Sequence, residues 1–164
     1  MTQHAPLFIV LLPVSAALLC MLFSRIQKNL GSWIVIASIA GAFLTAVSSL
    51  QQVIADGGKA LHYWMGNWQP PLGIEFVIDP ISGALAVLIT FIALLGSLYS
   101  LPFVKEEGWL HIGGYYTLYG LMTVGMCGMV ITGDVFNLYV FLEVMSLSGY
   151  GLIAIGGKKS MLAA

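Results

Sequence analysis

Charged side chains are scarce in this sequence. The chain of 164 residues has six Lys or Arg and seven Asp or Glu, which is 8% of the total, whereas about a quarter of the residues in a soluble domain are charged. Hydrophobic residues make up 59%. This composition argues against a water-soluble fold and predicts an integral membrane protein. The net charge of -1 leaves no basic surface for nucleic acid, so we expect no nucleic-acid partner.

Cysteines and catalytic motifs are equally scarce. Cys20 and Cys127 lie in apolar segments without CxxC spacing, so we expect them to pack and not to bind a metal. The sequence has no Rossmann glycine pattern, P-loop, nucleophile motif or iron–sulfur cysteine set. We therefore expect no cofactor and no metal site, and we assign no catalytic role to His4, His62 or His111. The chain is not expected to be an enzyme by itself, and any redox activity would belong to partner subunits.

Long apolar segments are what the sequence has in abundance. Five of them, each close to the ~20 residues that a spanning helix needs, predict a single all-α membrane domain over residues 1–164. The predicted helices cover about 6–23, 30–50, 81–103, 113–131 and 135–155. The connection from Gln51 to Pro80 carries aromatic residues typical of a membrane boundary, and its GIEFVID stretch alternates. We predict a short strand or hairpin there, at the outer face.

The positive residues predict the orientation. Only Lys59 falls on one side of the predicted topology, and the other five fall on the opposite side: Arg25, Lys28, Lys105, Lys158 and Lys159. Positive residues favour the cytoplasmic side of a membrane. We therefore predict a multi-pass protein of the cell membrane with its amino terminus outside and its carboxyl terminus in the cytoplasm.

One carboxylate, that of Glu143, lies near the middle of the fifth predicted helix. A charge at the bilayer centre costs about 3 kcal/mol on insertion scales, so such an acid usually faces a polar interior, stays protonated or serves ion transport. Tyr139, Ser146 and Tyr150 share its helical face and carry hydroxyl groups that can hold water. We predict a proton path through these four residues. From the residues alone, an acid that fixes helix packing through a hydrogen bond is an equally weighted alternative.

Two other acids precede helices. Asp79, followed by Pro80, and Asp134 are predicted to be the N-caps of the third and fifth helices. Because only three residues join the fourth and fifth helices, these two helices must be antiparallel neighbours. Small residues allow helix backbones to approach closely, and five glycines are expected to serve this contact: Gly120, Gly125, Gly128, Gly149 and Gly151.

Two long motifs resemble a known family. MGNWQPPLGIEFVIDPISGAL (65–85) and TGDVFNLYVFLEVMSLSGYGLIAIG (132–156) are similar to the amino-terminal part of antiporter-like proton-translocating membrane subunits. These are the large subunits of Mrp-type cation/proton antiporters, above all the D-type subunit, and their relatives in NADH:quinone oxidoreductase and membrane-bound hydrogenases. The resemblance covers residues 64–159 well, and the first two helices match in hydropathy and order only. It implies the amino-terminal part of a longer module, or one piece of a split subunit.

The resemblance implies a role for Glu143, which falls where the family has a helix-five glutamate that pairs with a helix-seven lysine in a proton half-channel. The implied function is to contribute an intramembrane carboxylate to proton translocation or cation/proton antiport within a multisubunit complex. The expected partners are other membrane subunits, one of which supplies intramembrane lysines, together with the lipid bilayer, protons, and Na⁺ or K⁺ as candidate ions. The alternative is a structural membrane-anchoring subunit of a redox or antiporter complex that moves no ion itself.

Overall fold

The computed structural model describes residues 4–27, 29–68, 73–104 and 109–156. Its five helices are α1 (Ala5–Ile26), α2 (Leu30–Ala55), α3 (Pro80–Val104), α4 (Trp109–Ile131) and α5 (Val135–Gly156). Each is long and apolar enough to cross a membrane. The predicted all-α membrane fold with five spans is therefore confirmed.

Several helices extend beyond their apolar segments, and the differences are greatest at the end of α2 and at the start of α4. α2 continues to Ala55 instead of ending at 50, and α4 begins at Trp109 instead of 113. The extension of α2 contains Gln51 and Gln52, which are polar but good helix formers. The helix stops where Gly57 and Gly58 have φ angles of 73° and 83°, a left-handed conformation that glycine adopts at no steric cost.

A two-stranded antiparallel hairpin links α2 to α3, as the alternating GIEFVID stretch predicted. Strand β1 covers Leu61–Trp64 and strand β2 covers Glu75–Ile78, with Trp64 opposite Glu75. The hairpin lies at the end of the bundle where α2 and α4 end and where α3 and α5 begin. Phe76 and Ile78 are fully buried there, so one face of β2 belongs to the hydrophobic core.

Helix α4 is the centre of the bundle, because it packs against α1, α2, α3 and α5. Side-chain hydroxyl groups of α4 donate hydrogen bonds to neighbouring helices: Tyr119 to Ala93 O at 2.9 Å, and Thr117 to Ala17 O at 3.1 Å. Interhelical bonds of this kind contribute about 0.6 kcal/mol each on average within membranes. They hold α1 and α3 on α4, while α5 has α4 as its main packing partner.

The buried side chains form two clusters at the two ends of the bundle. The cluster at the hairpin end includes Phe76, Cys127 and Phe141, and the cluster at the opposite end includes Cys20 and Tyr116. Both cysteines are free thiols in the interior. Each therefore contributes to packing at a different end of the bundle.

The predicted glycine contact between α4 and α5 involves fewer glycines than expected. A Cβ added at Gly125 would lie 2.7 Å from the Met145 backbone nitrogen, and one at Gly128 would overlap the Phe141 ring. Gly120 instead faces α1, where an added Cβ would lie 3.2 Å from the Ala17 Cβ, and Gly149 has open space beside it. For Gly120 the difference arises because α4 packs against neighbours on several sides, so its glycines are divided among them.

Candidate functional site

Glu143 is the ninth residue of the 22-residue helix α5, and few residues of this helix are buried by the rest of the protein. Only 6% of the spanning part of α5 is buried, against at least 28% for each of the other four helices. Asn137, Phe141 and Ser148 are the buried residues of α5, whereas Glu143 is only partly buried. We call the side that carries Phe136, Tyr139, Glu143 and Tyr150 the open face of α5.

The four residues of the predicted proton path form two pairs along this open face. The Tyr139 side chain, 61% exposed, interacts with the Glu143 carboxylate one turn away. Ser146 and Tyr150 line an open cleft of about 330 Å³ between α4 and α5. The other residues that line the cleft are Met122, Met126, Met145, Gly149 and Ile153. Glu143 is not among them, so the acid and the cleft are adjacent features on one helix and not one pocket.

The described basic side chains lie away from the middle of α5. Within residues 4–27, 29–68, 73–104 and 109–156 the Lys and Arg residues are Arg25 and Lys59. Arg25 lies in the last turn of α1, and Lys59 follows the end of α2 beyond Ala55. Both therefore belong to the ends of the bundle, whereas Glu143 lies between those ends.

The start of α5 is held by a local network at the hairpin end. Asp134 accepts hydrogen bonds from the backbone N–H groups of Phe136 (3.1 Å) and Asn137 (3.3 Å). The Asn137 side-chain amide donates to the Thr132 hydroxyl at 3.1 Å. Asn137 is buried, and it was not among the residues predicted from sequence. Its position three residues after an N-cap acid, on the face that packs against α4, was the available signal.

Asp79 and the start of α3 form a reciprocal pair of hydrogen bonds. The Ser82 N–H donates to Asp79 Oδ1 at 2.6 Å, and the Asp79 N–H donates to the Ser82 hydroxyl at 2.8 Å. This is a capping-box arrangement in which serine takes the place of the usual Glu or Gln. The hydrogen bonds from Ser82 lower the pKa of the Asp79 carboxyl below its ordinary value.

A second polar cluster lies on the hairpin, and it was not predicted from sequence. Glu75 Oε1 is 2.7 Å from His62 Nδ1 and accepts a hydrogen bond from Trp64 Nε1 at 3.0 Å. The hydrogen bond with His62 lowers the pKa of the Glu75 carboxyl, against a smaller opposing effect of burial. The signal that could have found the cluster is the hairpin register, because it places Trp64 opposite Glu75 and His62 on the same face two residues away.

The remaining histidines make single contacts at opposite ends of the bundle. His4 Nδ1 lies 3.3 Å from the Tyr63 hydroxyl at the hairpin end, and His111 Nε2 lies 3.1 Å from Ile155 O near the end of α5. In the part of the chain that the structure describes, no group of three or more His, Cys, Asp or Glu residues is placed to hold a metal ion.

Comparison with known proteins defines the class of this chain. No protein-family model matches it. The chain is 38% identical over 164 residues, all of its length, to NADH-quinone oxidoreductase subunit N of Desulforudis audaxviator, and it covers 32% of that protein. It is 32% identical over 155 residues to the D-type subunit of the Na⁺/H⁺ antiporter of Bacillus subtilis, with 93% of this chain and 30% of the relative covered. The chain spans about a third of the length of these relatives.

The solved structures agree. The membrane-bound sulfane sulfur reductase, an archaeal respiratory membrane complex, contains a chain with a TM-score of 0.88 and 28% identity, covering 98% of this chain and 32% of that one. The match includes α1 and α2, which sequence motifs had related to the family in hydropathy and order only. Over its whole length the chain is thus similar to antiporter-like membrane subunits from multisubunit antiporter and respiratory complexes. The extent of the match fits an amino-terminal portion of such a subunit.

Proposed function

We propose that this chain contributes Glu143 as the protonatable group of an ion path through an antiporter-like subunit. Tyr139 lies beside the acid, and Ser146 and Tyr150 continue the hydroxyl-bearing side of α5 along the adjacent cleft. Protons are the transported species in this proposal, with Na⁺ or K⁺ as the exchanged ion where the complex is an antiporter. The names of the relatives, one an oxidoreductase subunit and the other an antiporter subunit, support both settings.

The observation that carries the proposal is the position of Glu143. An acid in the middle of a spanning helix needs a partner or water, because the bare charge is costly in hydrocarbon. Its face is uncovered in this part of the protein, and the described cations lie at helix ends. We infer that the open face of α5 is covered in the complete assembly by a neighbouring segment that supplies an intramembrane lysine. A cation within about 4–6 Å favours the charged form of a carboxylate and makes its proton exchangeable.

The orientation belongs to the same proposal. The hairpin and the amino-terminal end lie at one end of the bundle, because His4 contacts Tyr63. Arg25, in the last turn of α1, lies at the opposite end. By the positive-inside rule the hairpin end faces outward and the opposite end faces the cytoplasm.

Substitution of Glu143 tests the function. Glu143→Gln keeps the size and the hydrogen-bonding capacity but removes the titration, so we expect ion-driven proton flux to fall by roughly tenfold or more while assembly survives. Glu143→Asp retains the charge on a side chain shorter by one methylene, and its flux should lie between those of Gln and wild type. The measurement is proton flux in vesicles that carry the assembled complex, normalised to the amount of subunit present.

Tyr139→Phe and Ser146→Ala serve as controls, because they remove hydroxyl groups from the same face but leave the acid in place. Both should reduce flux less than Glu143→Gln does. Full flux in a fully assembled Gln variant would reject the role of Glu143 in the path. Loss of assembly, with normal flux per remaining complex, would instead support the structural anchoring alternative.

A further inference from the structure

The acid on the hairpin, Glu75, connects two parts of the molecule. Its side chain is 17% exposed and is hydrogen-bonded to His62 and Trp64 of the opposite strand. Its backbone carbonyl accepts a hydrogen bond of 2.9 Å from the Gly133 N–H in the connection between α4 and α5. One residue therefore joins the two strands of the hairpin to the segment that starts α5.

The contact with the α4–α5 connection is close and specific. Phe76 pairs with Thr132 in an isolated antiparallel bridge beside the Glu75–Gly133 hydrogen bond. A Cβ added at Gly133 would lie 2.8 Å from Val77 Cγ2 and 3.3 Å from Glu75 Oε2, so only glycine fits there without displacement. Thr132 in turn accepts the hydrogen bond from Asn137, in the first turn of α5. The chain of contacts thus runs from Glu75 to the base of the helix that carries Glu143.

We propose that Glu75 is a positioning residue for α5 whose hold on the α4–α5 connection depends on the pH at the hairpin end of the membrane. When Glu75 is ionised, its charge-assisted bonds to His62 and Trp64 order the hairpin, and β2 holds Thr132 and Gly133; we call this set of contacts the Glu75 clasp. When Glu75 is protonated, these bonds weaken and the start of α5 is released. The effect on transport rests on the proposed role of Glu143, whereas the release itself does not.

The physical basis is the small size of the hairpin. A two-stranded hairpin is marginally stable by itself, so its order depends on the burial of Phe76 and Ile78 together with cross-strand pairs such as this one. Hydrogen bonds to an ionised acceptor are roughly twice as strong as neutral ones. The groups that face the Glu75 carboxylate are His62 and Trp64 on β1 and the backbone of Gly133, while Asp134, the next residue of the connection, directs its own carboxylate to the amides of α5.

The sign of the pH effect follows from the direction of the shift. Since the pKa of Glu75 is lowered in the folded protein, the clasp is fully present above the ordinary carboxyl pKa and is lost as the pH falls through the lowered value. Removal of a donor raises that pKa toward its ordinary value. Trp64→Phe and His62→Gln should therefore move the release to higher pH.

Thiol labelling in the assembled complex tests the proposal directly. A cysteine at Thr132, under the clasp, is compared with one at Val135, which is 81% exposed and reports the intrinsic chemistry of the reagent. We expect the ratio of the two labelling rates, measured with a membrane-impermeant reagent on the hairpin side, to rise about threefold or more between about pH 7 and pH 4. In the Glu75→Gln background the ratio should be high and independent of pH.

The matched control is Asp56→Asn, which removes another exposed acid at the same end of the bundle and should leave the pH response unchanged. A flat ratio in the otherwise unaltered protein, or an unaltered pH response in Glu75→Gln, would overturn the proposal. If Glu75→Gln does not assemble, the Trp64→Phe variant decides. A higher pH midpoint for the rise in the labelling ratio supports the clasp, and an unchanged midpoint refutes it.

A flux measurement separates this inference from the proposed function. Glu75→Gln should alter the dependence of proton flux on the pH at the hairpin side, whereas Glu143→Gln should lower flux by roughly tenfold or more at every pH. Normal flux in Glu143→Gln would refute the proposed ion path and leave the labelling result to decide the clasp. A labelling response without any change in the flux profile would refute the link from Glu75 to transport.

Discussion

At the scale of single residues, the acids of this chain differ in their interaction partners. Asp79 and Asp134 accept hydrogen bonds from backbone amides at the starts of α3 and α5, and Glu75 accepts from two side chains of the hairpin. Glu143 interacts instead with a tyrosine on its own helix. The first three acids stabilise local structure at one end of the bundle. Glu143 lies in the middle of a span, which is why the proposed ion path rests on it.

Asp79 gives a prediction about stability. Asp79→Ala removes the acceptor for the Ser82 N–H and should lower the free energy of unfolding by about 1 kcal/mol, whereas Asp79→Asn should retain most of it. Because the pKa of Asp79 is lowered, the contribution of its charge is complete above about pH 4 and is lost as the pH falls further. Thermal unfolding of the detergent-solubilised complex at pH 7 and at about pH 3.5 measures both effects. Equal stability of the Ala and wild-type proteins at pH 7 would contradict the capping role.

Local chemistry explains which of these acids the sequence could indicate. An Asp before a Pro or at the end of a three-residue connection is a local pattern, so Asp79 and Asp134 were predicted as caps without knowledge of the fold. The partners of Glu75 lie 11 and 13 residues away, across a hairpin whose register a short alternating segment does not define. Neither the clasp nor its hydrogen bond to Gly133 was therefore predictable.

At the scale of elements, the contact between α4 and α5 depends on glycines that leave room for larger side chains. Gly128 accommodates the Phe141 ring, and Gly125 accommodates the backbone at Met145. In a membrane the association of helices gains little from the hydrophobic effect, so close packing has to supply the stability. The sequence indicated an antiparallel pair with small residues between the helices. It did not indicate which glycines face α5, because that depends on how α4 is rotated among its neighbours.

Gly128→Ala and Gly149→Ala form a matched pair at this interface. The added methyl group at 128 overlaps the Phe141 ring, and overpacking of this kind costs about 1–3 kcal/mol. At Gly149 nothing lies within 4 Å, so alanine should be neutral or stabilising by up to about 1 kcal/mol through its helix propensity. The midpoint of thermal unfolding should therefore fall in Gly128→Ala and stay level or rise in Gly149→Ala. A similar fall of the unfolding midpoint in both variants would show that the contact of Gly128 with Phe141 is not the cause of the destabilisation.

At the scale of the whole molecule, α4 is surrounded and α5 is not. The helices and the hairpin pack around two hydrophobic clusters; α5 contributes Phe141 to one of them and leaves its acid-bearing side open. The chain corresponds to about a third of the length of its relatives. An open face with a mid-membrane acid is the surface on which further protein is expected to lie, and the proposed lysine would come from there.

The overall architecture was accessible from sequence because the membrane constrains it. Five apolar segments of nearly spanning length allow few alternatives to five helices, and the short connection after Ile131 makes α4 and α5 antiparallel neighbours. The arrangement of α1 to α3 around α4 depends on interhelical hydroxyl contacts, such as the hydrogen bond from Tyr119 to Ala93 O, which no sequence pattern indicates. The cleft between α4 and α5 was not predicted either.

The topology of the chain in the membrane gives the last prediction. Trp68 follows the first strand of the hairpin and is 64% exposed, and Lys159 comes after α5, beyond the described residues. With five spans between the amino terminus and Lys159, cysteines introduced at these two positions should be labelled by an impermeant thiol reagent from opposite sides of the membrane. Because Cys20 and Cys127 are buried, they should contribute little background, and Ala at both positions provides the control.

The same experiment decides the orientation. The predicted topology assigns five of the six Lys and Arg residues to the side opposite the hairpin, and positive loops are retained in the cytoplasm. In right-side-out vesicles the cysteine at Trp68 should therefore react without permeabilisation, and the cysteine at Lys159 only after it. Labelling of both from one side would contradict the five spans. The reverse labelling pattern would agree with five spans but would show the opposite orientation, with the Glu75 clasp on the cytoplasmic side.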